Sequence, residues 1–322
     1  MRILIFAALA AIIPAWCADQ DYNGRWDITV STKPRPRAWW LELNGVGGSN
    51  ASGKFVSAYA GDMNTITTIK VENGELVFTI VPPHREGNPA RPPRPEYMHP
   101  SIFHAHLVSG KLEGTFQREG QTDAPLNWTG VRAPEINEHD DGTWKEGKPI
   151  ALFNGKDLSG WEPLVPNVEM KWTVKDGVLR NAPPTTDLIS SQKFWNFKAH
   201  IEFRIVENSN SGIGLRGRYE VQILEDYGKP PQSHGAGALY SRVAPSVNAS
   251  KPPGEWQSYD IRLVGRDLTV VFNGKKVLDK VHVDGLTAIA DNADEGEPGP
   301  FIIQGDHSYV EIRSFVVTPL TH

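Results

Sequence analysis

The feature that most constrains this chain is the period of its hydrophobic pattern. Short runs alternate apolar and polar residues and are interrupted by Gly, Asn and Asp, while helical periodicity is nearly absent. Alternation puts successive side chains on opposite faces of a strand, so the chain reads as all-β. Four dipeptides make the reading concrete. Asn73-Gly74 separates Ile69-Lys70-Val71-Glu72 from Glu75-Leu76-Val77-Phe78, and Ser109-Gly110, Asp176-Gly177 and Asn273-Gly274 sit in similar settings. In each, Gly supplies the positive φ that a two-residue connection needs, which predicts four β-hairpins.

Two β regions follow from the spacing. Residues 21–133 run from Gly24-Arg25-Trp26-Asp27-Ile28-Thr29-Val30 to Leu126-Asn127-Trp128-Thr129-Gly130-Val131. They read as an N-terminal antiparallel meander or small barrel of unassigned role, and the opening Gly-x-Trp loosely resembles a lipocalin-type barrel. His84 to Ser101 is rich in Pro and Arg. Missing backbone donors and fixed φ forbid a central strand there, so it is expected to be a loop. Residues 134–148 carry Glu135, Glu138, His139, Asp140 and Asp141 with almost no apolar residue, and read as a linker. Residues 149–320 form the second region.

The N-terminus has its own pattern. Arg2 precedes an apolar run from Ile3 to Ile13, and Ala15-x-Cys17 supplies small residues at a cleavage position. That is a secretory signal over 1–17, which predicts a periplasmic or extracellular protein of bacterial type. The alternative is a lipoprotein acylated at Cys17, which Pro14-Ala15-Trp16 fits less well. Cys17 is the single cysteine, so cleavage after it leaves no disulfide and no thiolate chemistry, and the hydrophobic cores must suffice. No second apolar run is long enough for a membrane helix. The formal charge of −5 is mild and the basic residues are scattered, which argues against nucleic acid and fits a neutral ligand.

The second region opens with Ile150-Ala151-Leu152-Phe153-Asn154-Gly155-Lys156-Asp157-Leu158-Ser159-Gly160-Trp161. It continues through Asn208-Ser209-Asn210-Ser211-Gly212-Ile213, Tyr219-Glu220-Val221-Gln222-Ile223, Gly237-Ala238-Leu239-Tyr240, Lys251-Pro252-Pro253-Gly254-Glu255-Trp256 and Ile303-Gln304-Gly305-Asp306-His307. These six strings, in this order, resemble the 3-keto-disaccharide hydrolase family, and the resemblance stops at the second half. It implies a two-sheet concanavalin-like jelly roll acting on glycosides already oxidised to a ketone at carbon 3 of one sugar. Such a ketone acidifies the hydrogen on carbon 2. A base can then remove it and expel the group on carbon 1, and water adds afterwards. The chemistry needs a base near carbon 2 and a hydrogen-bonding or positive group at the enolate oxygen.

The residues themselves carry part of this reading. If Ile213, Leu215, Val221 and Ile223 point to the core, the opposite face collects Gly214, Arg216, Glu220 and Gln222. Such a face suits sugar hydroxyls, although a strand taken alone is as readily a solvated face with an Arg216 to Glu220 pair. His307, in a polar glycine-bearing turn, can titrate near neutral pH, although a lone histidine in such a turn is by default a surface residue and its role leans on the resemblance. The expected catalytic set is therefore Glu220 or His307 as base, with Arg216 or Gln304 at the oxyanion. Gln222, Gln304, Tyr240 and Asn208 are the candidate substrate-binding residues. His234 ranks behind His307. Tyr240, Tyr227 and Trp256 could stack on a sugar, Trp256 being equally suited to plug the core.

No metal-ligand spacing is present, though the acidic loop Asp291-Asn292-Ala293-Asp294-Glu295-Gly296-Glu297 could hold a divalent metal such as calcium through oxygen ligands. A conventional glycosidase needs a second carboxylate, and Glu202 and Glu225 are the choices on hand. The non-enzymatic alternatives are a carbohydrate-binding jelly roll on the same scaffold and an adhesion protein using the Pro-rich loop.

Overall fold

The computed structural model describes residues 22–56, 61–81 and 99–322. Residues 1–17, read from the sequence as a secretory signal, and most of the Pro- and Arg-rich loop lie outside these residues. All 23 regular elements among the described residues are strands. The four predicted hairpins are present. Asn73, Ser109, Asp176 and Asn273 have φ of 53°, 51°, 53° and 48°, each followed by a glycine at 76–80°. The flanking pairs, such as Glu72 with Glu75 and Phe272 with Lys275, close two-residue turns.

The first nine strands, Gly24–Val30 to Leu126–Arg132, make one curled antiparallel sheet in which the first strand pairs with both the second and the ninth. Its concave side is filled by Trp26, Ile28, Trp39, Leu41, Phe55, Phe78, Phe103 and Trp128. Phe78 and Phe103 stack at 4.5 Å between centroids. The Ile66 and Thr67 amides donate to the Gly53 and Thr79 carbonyls, so the chain crosses between the two edges of the sheet and draws the curl together.

The second half is a sandwich. One sheet follows the order Trp172–Lys175, Val178–Asn181, Val310–Thr321, Phe197–Ile205, Gln257–Val264, Asp267–Phe272, Lys275–His282. The other is Trp161–Pro163, Leu188–Phe194, Gly299–Ile303, Asn210–Leu215, Tyr219–Leu224. The alternation expected of the last two strands is observed: Ile213, Leu215, Val221 and Ile223 join Phe203, Tyr259, Phe301 and Phe315 in the core between the sheets. Burying side chains of this size is what holds a cysteine-free sandwich together, at roughly 1.5–3 kcal/mol each.

The segment 134–148 differs from a free linker. Asp140 takes a bidentate pair from Arg262 at 2.7 and 2.9 Å, the Glu138 carboxylate accepts from Trp195 Nε1 and Asn196 Nδ2, and Lys145–Glu146 pairs with the last strand. Its polar residues are spent on fixed partners, which composition alone does not reveal.

Over its first three strands the convex side of the first sheet is buried as well. Ala38, Trp40 and Val56 belong to the same continuous core as the sandwich. Trp40 rests on Gly285, where φ is +70° and an added Cβ would lie 2.5 Å from the indole. Asp27, opposite Trp40 in the register, is buried beside Glu295, Arg266 and Arg218. Burial and the mutual repulsion of Asp27 and Glu295 hold the Asp27 carboxyl above the ordinary range. The loop read as a possible calcium site is instead tied down by arginines. Arg266 pairs with Glu295, Arg35 with Asp291 at 2.9 Å, and Arg218 donates to Asn292 Oδ1 and the Glu297 carbonyl.

Candidate active site

The outer face of the five-stranded sheet carries the groups that a folded core would not tolerate without a purpose. Glu220 lies opposite Gly214 on adjacent antiparallel strands, and Gln222 lies opposite Gly212. Both residues are 2% exposed. The Glu220 carboxyl folds over Gly212, where a Cβ would come within 2.2 Å of Oε1, so a side chain there would displace the carboxyl. Burial pushes the Glu220 pKa up to about 8, His307 opposes that shift, and Asp187 and Asp306 add to it. Gln222 donates to Asn210 Oδ1 at 3.3 Å and to the His234 carbonyl at 3.4 Å, while its own Oε1 is buried with no protein partner. Buried polar atoms are almost always satisfied, and an orphaned one beside a protonated carboxyl points to a ligand.

One flank of this face is built by the loop after Gly299–Ile303. The Gln304 amide donates to the Gly212 carbonyl at 3.0 Å, which sets Gln304 beside the Glu220 carboxyl. Asn181, buried, fixes the turn that follows by donating to the Gly305 and Ser308 carbonyls and accepting from the Val310 amide. On that turn His307 Nδ1 meets the Asp306 carboxylate, which raises the histidine pKa against the effect of burial. Asp187, just before Leu188–Phe194, accepts the Gly305 amide at 2.8 Å and the Asp306 amide at 3.2 Å. Its pKa is pushed up to about 6, first by burial and then by Asp306.

The opposite flank is the segment 233–242. The bridge between Val221 and Leu239 sets Tyr240 against Glu220, and the Tyr240 amide donates to the Glu220 carbonyl at 3.0 Å.

Of the expected site residues, the structure brings together Glu220, Gln222, Gln304, Tyr240 and His307. It removes Arg216. The strand ends at Leu215, so parity no longer applies, and Arg216 starts a turn at φ 51°. Its side chain is fully buried, donating to the Trp195 carbonyl at 2.6 Å, the Gly265 carbonyl at 2.8 Å and Asn196 Oδ1 at 3.0 Å, with the Trp195 ring 3.9 Å from Cζ. Arg216 staples two corners of the sandwich and makes no bond to Glu220.

Asn208 is also displaced from the site. It occupies an exposed turn at φ 59°, a conformation Asn tolerates well, and Asn210 is the asparagine that meets Gln222. Trp256 neither stacks at the site nor plugs the core. It lies between Arg204 and Arg313 on the other sheet. Tyr227 is 52% exposed, and Glu202 is held by Arg313. Asp187 is one residue the sequence reading missed. Its only local signal is that it precedes Leu188 and shares the parity of Ile189, which faces Ile302 on the site side.

The sandwich thus gathers acidic, amide and aromatic side chains on one face of its five-stranded sheet. The chain belongs to the 3-keto-alpha-glucoside-1,2-lyase-like domain family, whose model matches residues 148–318. A 3-keto-disaccharide hydrolase from Bacteroides thetaiotaomicron is 24% identical over 166 residues, covering 40% of this chain and 57% of that protein, so the chain spans little more than half of that relative. A crystal structure from Parabacteroides distasonis, classed provisionally as a glycosyl hydrolase, is 28% identical with a TM-score of 0.47, covering 62% of this chain and 94% of that one. Another from the same organism is 23% identical with a TM-score of 0.43, covering 54% and 100%.

Among the described residues no group of three or more His, Cys, Asp and Glu is arranged to hold a metal ion, and no helix is long and apolar enough to cross a membrane.

Proposed function

We propose that the protein is an exported enzyme that cleaves 3-keto-glycosides by elimination and hydration, with Glu220 as the base. The observation that carries this is a buried carboxyl with a pKa near 8 on a sheet face that also presents an unpartnered amide oxygen. A base works best when its pKa lies near the operating pH, and desolvation of Glu220 achieves that. Its carboxylate takes the proton from carbon 2. The electron pair forms the bond between carbons 1 and 2 as the glycosidic oxygen leaves carbon 1, and the negative charge passes transiently through the enolate oxygen at carbon 3. His307, held by Asp306, supplies the positive charge or the proton on that side of the site. Gln304 and Gln222 provide amide contacts for sugar hydroxyls. Water then returns a hydroxyl to carbon 1 and a proton to carbon 2, so the net change is hydrolysis.

A conventional glycosidase is favoured by one specific finding, the second carboxyl Asp187, whose raised pKa near 6 would let it share acid and base duties with Glu220. Purified mature protein given a 3-keto-disaccharide and its unoxidised parent, with and without chelator, separates the readings. The expected result is cleavage of the keto-sugar alone, with kcat/KM rising as pH increases through about 8, because the base must be ionised. Cleavage of both sugars would replace the elimination with a glycosidase mechanism. Cleavage of neither, with binding retained, would leave a carbohydrate-binding protein. Loss of cleavage on chelation would place a divalent metal in the reaction.

A further inference from the structure

The first sheet packs against the sandwich, and Asp62, just before its strand Met63–Thr65, reaches the site. Asp62 Oδ1 lies 2.6 Å from His234 Nε2. The histidine ring stands edge-on to Tyr240, 4.9 Å between centroids at 87°, and Tyr240 is set against Glu220 by the strand bridge. A line therefore runs across the sheet face from Glu220 through Tyr240 and His234 to Asp62, ending in the other half of the molecule.

The backbone supports this line at several points. Ser241 Oγ donates to the Gly61 carbonyl at 3.2 Å, and the Ser241 amide closes the segment by donating to the Ser233 carbonyl. Gly61, at φ +72°, lies so close to Ala288 that an added Cβ would come within 2.0 Å of the alanine methyl. The His234 carbonyl accepts from Gln222 Nε2. The His234 side chain is 43% exposed and Asp62 only 18%, so a ligand meets the imidazole while the carboxylate stands behind it.

We infer that Asp62 is a positioning residue for the substrate site: by fixing His234, and through it Tyr240, the first sheet completes the wall that receives the sugar next to the one deprotonated by Glu220. An edge-on pair of rings offers that neighbouring sugar a rigid aromatic surface with polar edges, at small cost in ordering. This inference rests on the elimination reading for which sugar lies over Glu220. Its footing in the Asp62 to His234 contact is independent of that reading.

The test uses the full mature chain with Asp62→Asn and His234→Gln, which act from opposite halves and nearly preserve shape, together with the double variant. Substrates are a 3-keto-disaccharide and the methyl 3-keto-glycoside, which lacks the neighbouring sugar. The expected result is a rise of about 10-fold in KM for the disaccharide in each single variant, no further rise in the double variant, and kcat/KM for the methyl glycoside within about twofold of wild type. Equal losses on both substrates, or no loss on either, would overturn the inference. If wild type cleaves neither substrate, the functional reading fails on its own, and titration calorimetry with the disaccharide decides the inference. Weaker binding by Asp62→Asn than by wild type supports it. Unchanged binding, or no binding by wild type, overturns it.

Discussion

Glu220→Gln is expected to lower kcat on a 3-keto-glycoside by about 10²- to 10⁴-fold, the range a positioned general base contributes, while making the protein more stable at alkaline pH. Both effects come from the same burial. In the folded protein the carboxyl holds its proton up to about pH 8, whereas in the unfolded chain it releases it near 4.5. A raised folded pKa contributes stability that is complete below the unfolded value and is lost as pH climbs from about 4.5 through about 8. Across that window wild type must deprotonate a buried acid or unfold to do so, at a cost of up to about 5 kcal/mol if the whole shift is realised. Glutamine carries no such penalty. Denaturant unfolding of the two proteins should give similar stabilities near pH 4 and a gap of a few kcal/mol in favour of the variant near pH 9. A variant that kept its rate, or a gap that did not change with pH, would remove Glu220 from the role assigned to it.

The second large effect lies at Arg216 and is of the opposite kind. Arg216→Met keeps the length of the side chain but strips the Trp195 and Gly265 carbonyls and Asn196 Oδ1 of their donor in a buried corner. Losing a fully bonded interior guanidinium leaves those acceptors without partners, and a loss of about 3–5 kcal/mol is expected. Arg216→Lys should recover little, because an ammonium cannot span three acceptors arranged for a planar fork. Kinetics of whatever fraction remains folded should show KM and kcat within a few-fold of wild type. A large fall in kcat without loss of stability would return Arg216 to the oxyanion.

Arg216 also shows where sequence reasoning stops. Strand parity located Glu220 and Gln222 correctly because both lie inside one regular strand whose apolar partners alternate with them. The same rule, carried one residue past Leu215, assigned Arg216 to a face it does not reach, since a turn with positive φ resets the direction of the side chain. The four hairpins were legible because an Asn-Gly, Asp-Gly or Ser-Gly turn is decided within a few residues. Asp187 and Asp62 were not legible. Each reaches the site through a contact distant in sequence, to the amides of Gly305 and Asp306 in one case and to His234 in the other. The acidic loop at 291–297 failed for a related reason. Its composition suggested solvent or calcium, and only the fold brings Arg35, Arg218 and Arg266 against it. Non-local pairing of charge leaves no periodic trace in the chain.

The role proposed for Glu220 is to remove the hydrogen on carbon 2 of a 3-keto-sugar. The most direct measurement is to let the purified protein act on a 3-keto-glycoside in heavy water and to locate deuterium in the released keto-sugar by mass spectrometry and NMR, with the uncatalysed exchange as baseline. Elimination followed by hydration predicts one deuterium at carbon 2 of each product molecule from wild type, and no incorporation above baseline from Glu220→Gln. Product released by wild type with hydrogen retained at carbon 2 would contradict the account.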